Sequence, residues 1–588
     1  MVTGPDKDIA VLGSPSTATE LTIDLLQEAT EERVVGALVA FNATQNGTPI
    51  TSVGQVVSIE LRNRWHEDAT FRNLIKRTGE IPPITSRQDT RTAQLSVGAT
   101  FKRTSNGYDP DLLGMVPPTG TRIARVDQPL LNSLLGIYQP EVFYLGKCYA
   151  NDVLYPMWFK HFGSGPRGAG EAYHAGVFGK TGSGKSGLAK MLLLAYARHP
   201  EMGILVIDPQ GEFSQELAGT MMGQQKLPVR TALDGLQRPV SVYRIQDLQL
   251  DDWDLFEDLL VSLRFTEQLG IPAASTDNAR HAAEVIRGAL EKQHKLEALV
   301  SVDILRVALQ AVILPQTAQY VYSSAQRATQ FTAYVRDILT NRVNDVFQNS
   351  WKPICNLFAA GENRRRIYGV VADLVGQASG SQRGRSIVAV DLSEQGNPRF
   401  WSEDLQHRLI KKLLDSLISH ATARLQTRDS ANVLVLLDEA ARLAPAGGLD
   451  RGSEAEQLRN TLRHAVRETR KYGIGWFFVS QTLGGIDNDI LQQLRVLFFG
   501  FGLALGDEFR KLGEFAGGDK RAMELYQSFR DPHSAPRPDL REFPFMAVGP
   551  VSPLSFSGKP LFFSAFTDPT EFLSVNGLAV QQQMSLKS

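Results

Sequence analysis

The chain has 588 residues, 43% hydrophobic and 21% charged, with 62 Lys and Arg against 63 Asp and Glu for a net charge of -1. Length and composition point to a soluble protein of about three to four domains, and the charge balance removes any global argument for nucleic acid while leaving room for a local basic groove. The two cysteines, Cys148 and Cys355, exclude a disulfide framework or cysteine zinc site, no apolar run approaches the roughly 20 residues of a membrane span, and "MVTGPDKDIAVLGSP" lacks a secretory pattern, so a cytoplasmic protein is expected.

From Ile9 to about residue 150, short alternating or apolar runs ("VVGALVAF", "SVGQVVSIEL", "TAQLSVGATF", "EVFYLGKCYA") are punctuated by "NATQNGTP", "SNGYDP" and "VPPTG". This is the pattern of a small β-barrel or sandwich over residues 1–160. The glycine-rich "KHFGSGPRGAGEA", 160–172, reads as a linker into a second domain.

That domain opens on "HAGVFGKTGSGKSGLAKMLLLAYARHP". Gly179, Lys180, Thr181, Gly182, Ser183, Gly184, Lys185 and Ser186, followed by Gly187, match the P-loop spacing, and the match sits between a buried-strand pattern and a helical one ending before Pro200. Glycines let consecutive N–H groups point inward, the helix N-terminus adds partial positive charge, Lys185 meets the outer phosphates, and Ser186 is placed to ligate Mg2+. The expected ligand is ATP.

Buried-strand patterns recur at "GILVIDPQGEF", "PVSVYRI", "RSIVAVDLS", "NVLVLLDEA", "GWFFVS" and "VLFFGFG", the signature of a mostly parallel, doubly wound α/β sheet spanning residues 173–245 and 381–540. Between 246 and 380 helical periodicity replaces them, as in "NARHAAEVIRGALEK", so a helical subdomain is inserted. The stretch 541–588 reads as a returning β-hairpin and tail.

In "NVLVLLDEAARLAP", Val433 to Leu437 carry Asp438 to a strand's C-terminal end, where ligands of open α/β sheets bind. Asp438 is the expected magnesium-side acid and Glu439 the water-polarising base, although an acid at this place also suits a helix start. Gln481 stands at the exit of the next strand, either as a γ-phosphate sensor or as a loop starter. Arg470, in "RETRKYG", is either a solvated helix end or a catalytic arginine. His407 and His420 lie on a leucine-rich helix and read as structural, and "ENRRRIYG" reads as a solvated charge run. Channel-lining candidates are "APAGGLDRG" and the segment around Arg495, without a readable code.

The order and spacing of the barrel-like start, "HAGVFGKTGSGKS", "VIDPQGEF", the helical insertion, "LLDEAARLAP", "RETRKYGIGWFFVSQT" and the terminal hairpin resemble the HerA family, within the HerA/FtsK superfamily. The resemblance implies a RecA-like ATPase core, a HAS barrel that docks a partner, and a homo-hexamer on double-stranded DNA. It implies ATP-driven translocation coupled to a NurA-like nuclease or, in phage defence, to a sirtuin-like NAD hydrolase or nuclease effector. The family's arginine finger falls at Arg470, and its acidic strand-end motif puts Asp208 and Glu212 near the site, with Gln210 and Phe213 as departures; Thr469 stands where a glycine is common. A nucleotide-gated scaffold for an effector, and a conjugation or FtsK-like DNA pump, are the competing functions.

Overall fold

A computed structural model describes residues 8–79, 88–165, 167–220, 227–361, 364–376, 384–555 and 558–578. It divides into two compact units, Met1–His199 with Met222–Leu236 and Gly475–Ser588, and Pro200–Met221 with Gln237–Ile474.

The first unit begins with strands β1 (Asp8–Leu12), β2 (Glu20–Leu25), β3 (Leu38–Gln45), β4 (Thr48–Arg62), β5 (Thr90–Thr104), β6 (Gly107–Asp111) and β7 (Arg122–Arg125). Their order β2-β1-β7-β3-β4-β5, closed by pairing of β5 with β2, makes a six-stranded barrel with β6 on its flank. Alternation delivers Ile9, Leu21, Ile23, Val39, Phe41, Val56, Leu95 and Ile123 to one core. Register shifts at Val53/Gly54 and Val56/Ser58 bend the long β4–β5 pair, as closure requires.

Then come β8 (Val142–Cys148), β9 (Leu154–Trp158) and β10 (Ala175–Phe178). The run "EVFYLGKCYA", read from sequence with the barrel, does not join it. β8 pairs with the C-terminal hairpin instead, Phe563 opposite Cys148. Period-two patterning says which face of a strand is buried but not which sheet it enters.

The second unit contributes β11 (Gly203–Asp208), β12 (Val240–Arg244), the two-residue strands β13 (Leu248–Gln249) and β14 (Arg365–Arg366), β15 (Ile387–Asp391) and β16 (Val433–Leu437). Strands β12, β15, β11 and β16 are neighbours in that order and all parallel. They are almost continuously apolar, as helices on both faces demand. Among the described residues, the region between β12 and β15 is helical, as expected, apart from the short β13–β14 ladder. Its helix Thr276–Leu290 buries Ala279, Ala282, Ala283, Ile286 and Leu290, spaced three or four apart.

Back in the first unit, β17 (Ile474–Ser480), β18 (Val496–Gly500), β19 (Phe543–Val548) and β20 (Leu561–Ala565) complete the strands. β10 lies between β17 and β18, parallel to both, and β19, β20, β8 and β9 continue the sheet as an antiparallel meander. The side chain of Gln55 in the barrel bonds both ways with the Phe562 backbone of β20, at 2.7 and 2.8 Å, so one amide ties barrel to sheet. The fold is α/β: a RecA-like P-loop ATPase core with an N-terminal barrel and an inserted helical subdomain. Among the described residues, no helix is long and apolar enough to cross a membrane.

Candidate nucleotide site

The glycine-rich turn leaves the C-terminal end of β10, where Phe178 is in register with Ser480 of β17 and Phe499 of β18. Gly182 and Gly184 adopt left-handed φ of 82° and 87°, which other residues take up at a cost. The helix Lys185–Ala197 starts directly on Gly184 with no side-chain cap. A helix start of this kind carries the partial positive charge that suits an anion. Lys185 is buried and its Nζ donates to Lys180 O at 3.3 Å, which keeps the ammonium inside the loop. Ser183 Oγ is buried and has no hydrogen-bond partner among the described residues. An inward-pointing cation, an uncapped helix start and an orphaned hydroxyl together fit a polyphosphate.

Gln481 follows β17, and Thr181 Oγ1 donates to its Oε1 at 2.8 Å. The loop beyond is pinned by Glu508, whose carboxylate accepts from Leu483 N at 2.8 Å and Gly484 N at 3.1 Å. Sequence reading did not find Glu508, because an acid on an amphipathic helix carries no local signal. A second unanticipated neighbour approaches from the C-terminal segment: a Cβ on Gly182 would collide with His533 Nε2, and one on Gly184 would lie 2.7 Å from Phe543 Cδ1.

In the second unit three adjacent strands end in aspartate. Asp391 of β15 is in register with Asp208 of β11, and β16 aligns so that Leu437 meets Ile207, which brings Asp438 to the same row. Asp391 accepts from Ser393 N at 3.0 Å and Ser393 Oγ at 2.6 Å. Asp208 accepts from Gly211 N at 2.8 Å and Ser214 N at 2.7 Å, so both its oxygens hold the turn into the helix Glu212–Leu217. Burial raises the Asp208 carboxyl against these bonds. Asp438 accepts from its neighbour's Glu439 N at 2.9 Å. Burial, and then the nearby charge of Asp208, push it up to about 7. All three carboxylates accept backbone N–H groups, and a cation beside Asp438 would offset the repulsion from Asp208 that helps to raise it. Glu439 sits in the left-handed region, φ 51° and ψ 45°, at the head of the helix Ala440–Leu443. A non-glycine residue held there costs roughly 1 kcal/mol or more and is a mark of a functional constraint.

Arg470 lies on the exposed 3-10 turn Thr469–Tyr472 that ends the helix Glu454–Glu468. Thr469, buried beside it, donates its hydroxyl to Ala465 O at 2.6 Å in ordinary right-handed backbone, so this position needs no glycine. Of "ENRRRIYG", Glu362 and Asn363 lie outside the described residues. Arg364 binds backbone carbonyls including Gln246 O, Arg365 pairs with Asp373, and Arg366 with Glu297, so these charges are used internally. His407 is buried and burial lowers its basicity, while His420 bonds Ser416 O at 2.8 Å. Arg495 pairs with Glu171 at 3.0 Å, just before β18 begins and so at the opposite end of that strand from the phosphate turn. The "APAGGLDRG" loop is exposed at Ala446, Gly447 and Gly448, and Arg459 bonds Gly447 O at 2.8 Å beneath it.

Residues 172–390 match the family described as Helicase HerA, central domain. This stretch of the chain is similar to the HerA central domain. The HerA match spans the phosphate turn and the helical insertion and stops before Asp438, Glu439, Arg470 and Gln481. Solved structures similar to this chain include VirB4 of Thermoanaerobacter pseudethanolicus, 14% identical over 73% of this chain and 98% of that one, TM-score 0.36. The bacterial conjugative coupling protein TrwBdeltaN70 is 11% identical over 67% of this chain and 85% of that one, TM-score 0.33. The genome packaging NTPase B204 from Sulfolobus turreted icosahedral virus 2, in complex with ATP-gammaS, is 9% identical over 67% and 96%, TM-score 0.28. These likenesses are distant, and no residue role is taken from them. No curated protein matches the chain.

Proposed function

We propose that this HerA-like ATPase hydrolyses ATP to move double-stranded DNA through a homo-hexameric ring in the cytoplasm, working with a nuclease or defence effector chain docked on its barrel. The observation that carries the reading is the phosphate turn, with Lys185 held inside a loop whose helix start is uncapped. In this reading the N–H groups of Gly179–Gly187 and the Lys185 ammonium hold the phosphates. Ser186 and, through water, Asp438 hold Mg2+, and Glu439 takes the proton of the attacking water. Gln481 marks the γ-phosphate, and Arg470 serves the nucleotide of the neighbouring subunit. Asp208 and Glu212 are site-adjacent acids in this reading. Magnesium, when bound, neutralises charge on the outer phosphates.

The test is hydrolysis by purified wild type and Lys185→Ala with and without duplex DNA. Wild type should turn over ATP, stimulation should grow with duplex length before saturating, and DNA affinity should fall steeply with salt, as contacts to phosphate require. Lys185→Ala should fall to background. Indifference of wild type to duplex DNA at low salt would remove the translocation reading, and hydrolysis by Lys185→Ala would remove the P-loop assignment.

A further inference from the structure

The segment Arg530–Phe543 is not used by the chemistry above, yet it lies on the phosphate turn. It leaves the buried Phe529 and enters β19, which runs antiparallel beside β18 and so begins at the end of the sheet where the turn emerges. Asp531 builds its first bend, accepting from His533 N at 2.9 Å, and Pro532 is buried beneath it. This sets the His533 imidazole against Gly182, while Phe543 packs on Gly184. The residues on either side of these two, Pro532, Ser534, Glu542 and Pro544, line a cleft of about 700 Å³ closed on its far side by Arg33 and Tyr149. The cleft lies within the usual size range of small-ligand sites, about 300–1,000 Å³. Tyr149 is fixed for it: Arg33 stands 4.5 Å over its ring, Phe529 packs at 5.5 Å, and Gly36, at φ 89°, leaves room where a Cβ would meet the ring at 2.5 Å.

We infer that this strap is the seat of the nucleoside end of the bound nucleotide, with His533 the residue at the junction between phosphates and base. The inference rests on the reading of Gly179–Gly187 as a phosphate cradle. Thr181 and Gln481 mark one flank of the turn, on the β17 side. A nucleotide whose terminal phosphate lies on that flank extends its other end toward β18 and β19, and the strap is what it meets. His533 borders both regions, touching the turn itself while its neighbours form the cleft wall. Tyrosine, proline and leucine surfaces, with Tyr149, Pro532, Pro536 and Leu540 among them, suit the flat apolar face of a purine, and the carboxylates and hydroxyls at the rim suit its polar edge.

The experiment compares equilibrium binding of ATP and of inorganic tripolyphosphate, which has the phosphates and no nucleoside, to full-length wild type, His533→Ala and Ser534→Trp. Both substituted side chains are exposed, so folding is preserved. His533→Ala should weaken ATP about threefold to tenfold and leave tripolyphosphate within about twofold, the scale of one lost ring contact. Ser534→Trp, which fills the cleft, should weaken ATP further and spare tripolyphosphate. Unchanged ATP binding in both variants overturns the seat while leaving the cradle standing. Equal loss of both probes also overturns it, because His533 would then act on phosphate. If wild type bound neither probe, the cradle itself would fail and the seat with it.

Discussion

Thr181 Oγ1 donates a hydrogen bond to Gln481 Oε1 at 2.8 Å, tying the phosphate turn to the exit of the neighbouring strand. In this arrangement Thr181 acts by holding the Gln481 amide still. Thr181→Val should lower ATP turnover about threefold to tenfold with nucleotide affinity nearly unchanged, and Gln481→Ala should lower it more. The double variant should be no slower than Gln481→Ala alone. A further loss in the double variant would show that Thr181 has a role of its own.

Glu439 combines a carboxylate with a left-handed backbone, φ 51°. Glu439→Gln keeps the backbone and cannot accept a proton, so turnover should drop about a hundredfold or more while ATP binding persists. Glu439→Gly should be as inactive but at least as stable as wild type, since glycine occupies this φ without strain. Loss of nucleotide binding in Glu439→Gln would reassign the residue to structure, and a thermal melt lowered by Glu439→Gly would remove the strain argument.

Asp438 has a folded-state pKa of about 7 against an ordinary 3.8, raised by burial and by the charge of Asp208. A raised carboxyl binds its proton more tightly in the folded state, so its contribution to stability is complete below about pH 4 and is lost as pH rises toward 7. Asp438→Asn removes that dependence. Without nucleotide or magnesium, the variant should match wild type at the acid end and be more stable at neutral pH by on the order of 1–4 kcal/mol, while losing hydrolysis. Melting curves across that pH range check the sign; a variant less stable than wild type at neutral pH would show that the carboxylate is paired and not repelled.

Arg470 is exposed on its 3-10 turn, and the proposed finger role can be tested there. Arg470→Ala should bind ATP and hydrolyse it about a thousandfold more slowly, the scale of an arginine finger. Mixing it with Lys185→Ala, with subunit exchange before ATP is added, should restore partial activity. Recovery arises only where the arginine of a Lys185→Ala subunit meets the intact cradle of an Arg470→Ala neighbour. Normal turnover by Arg470→Ala alone would end the finger assignment.

Local sequence was enough for the phosphate turn, because glycine spacing, a lysine and a helix start are all contiguous and their chemistry is set by backbone conformation within a few residues. The same holds for the core strands β11, β12, β15, β16, β17 and β18, whose apolar runs have few other uses, and for the positions of Asp438 and Glu439, which follow such a run directly. The sheet that β8 enters, the row formed by Asp391, Asp208 and Asp438, the anchoring of Gln481 by Thr181 and the placement of His533 on Gly182 were decided by tertiary structure. Each depends on strand register or on contact between segments far apart in the chain, and a hydrogen-bonded or packed neighbour leaves no periodicity in the residues that meet it. Asp208 shows the division most plainly: its sequence position says only that an acid ends a strand, while its bonds to Gly211 and Ser214 make it the support of a turn.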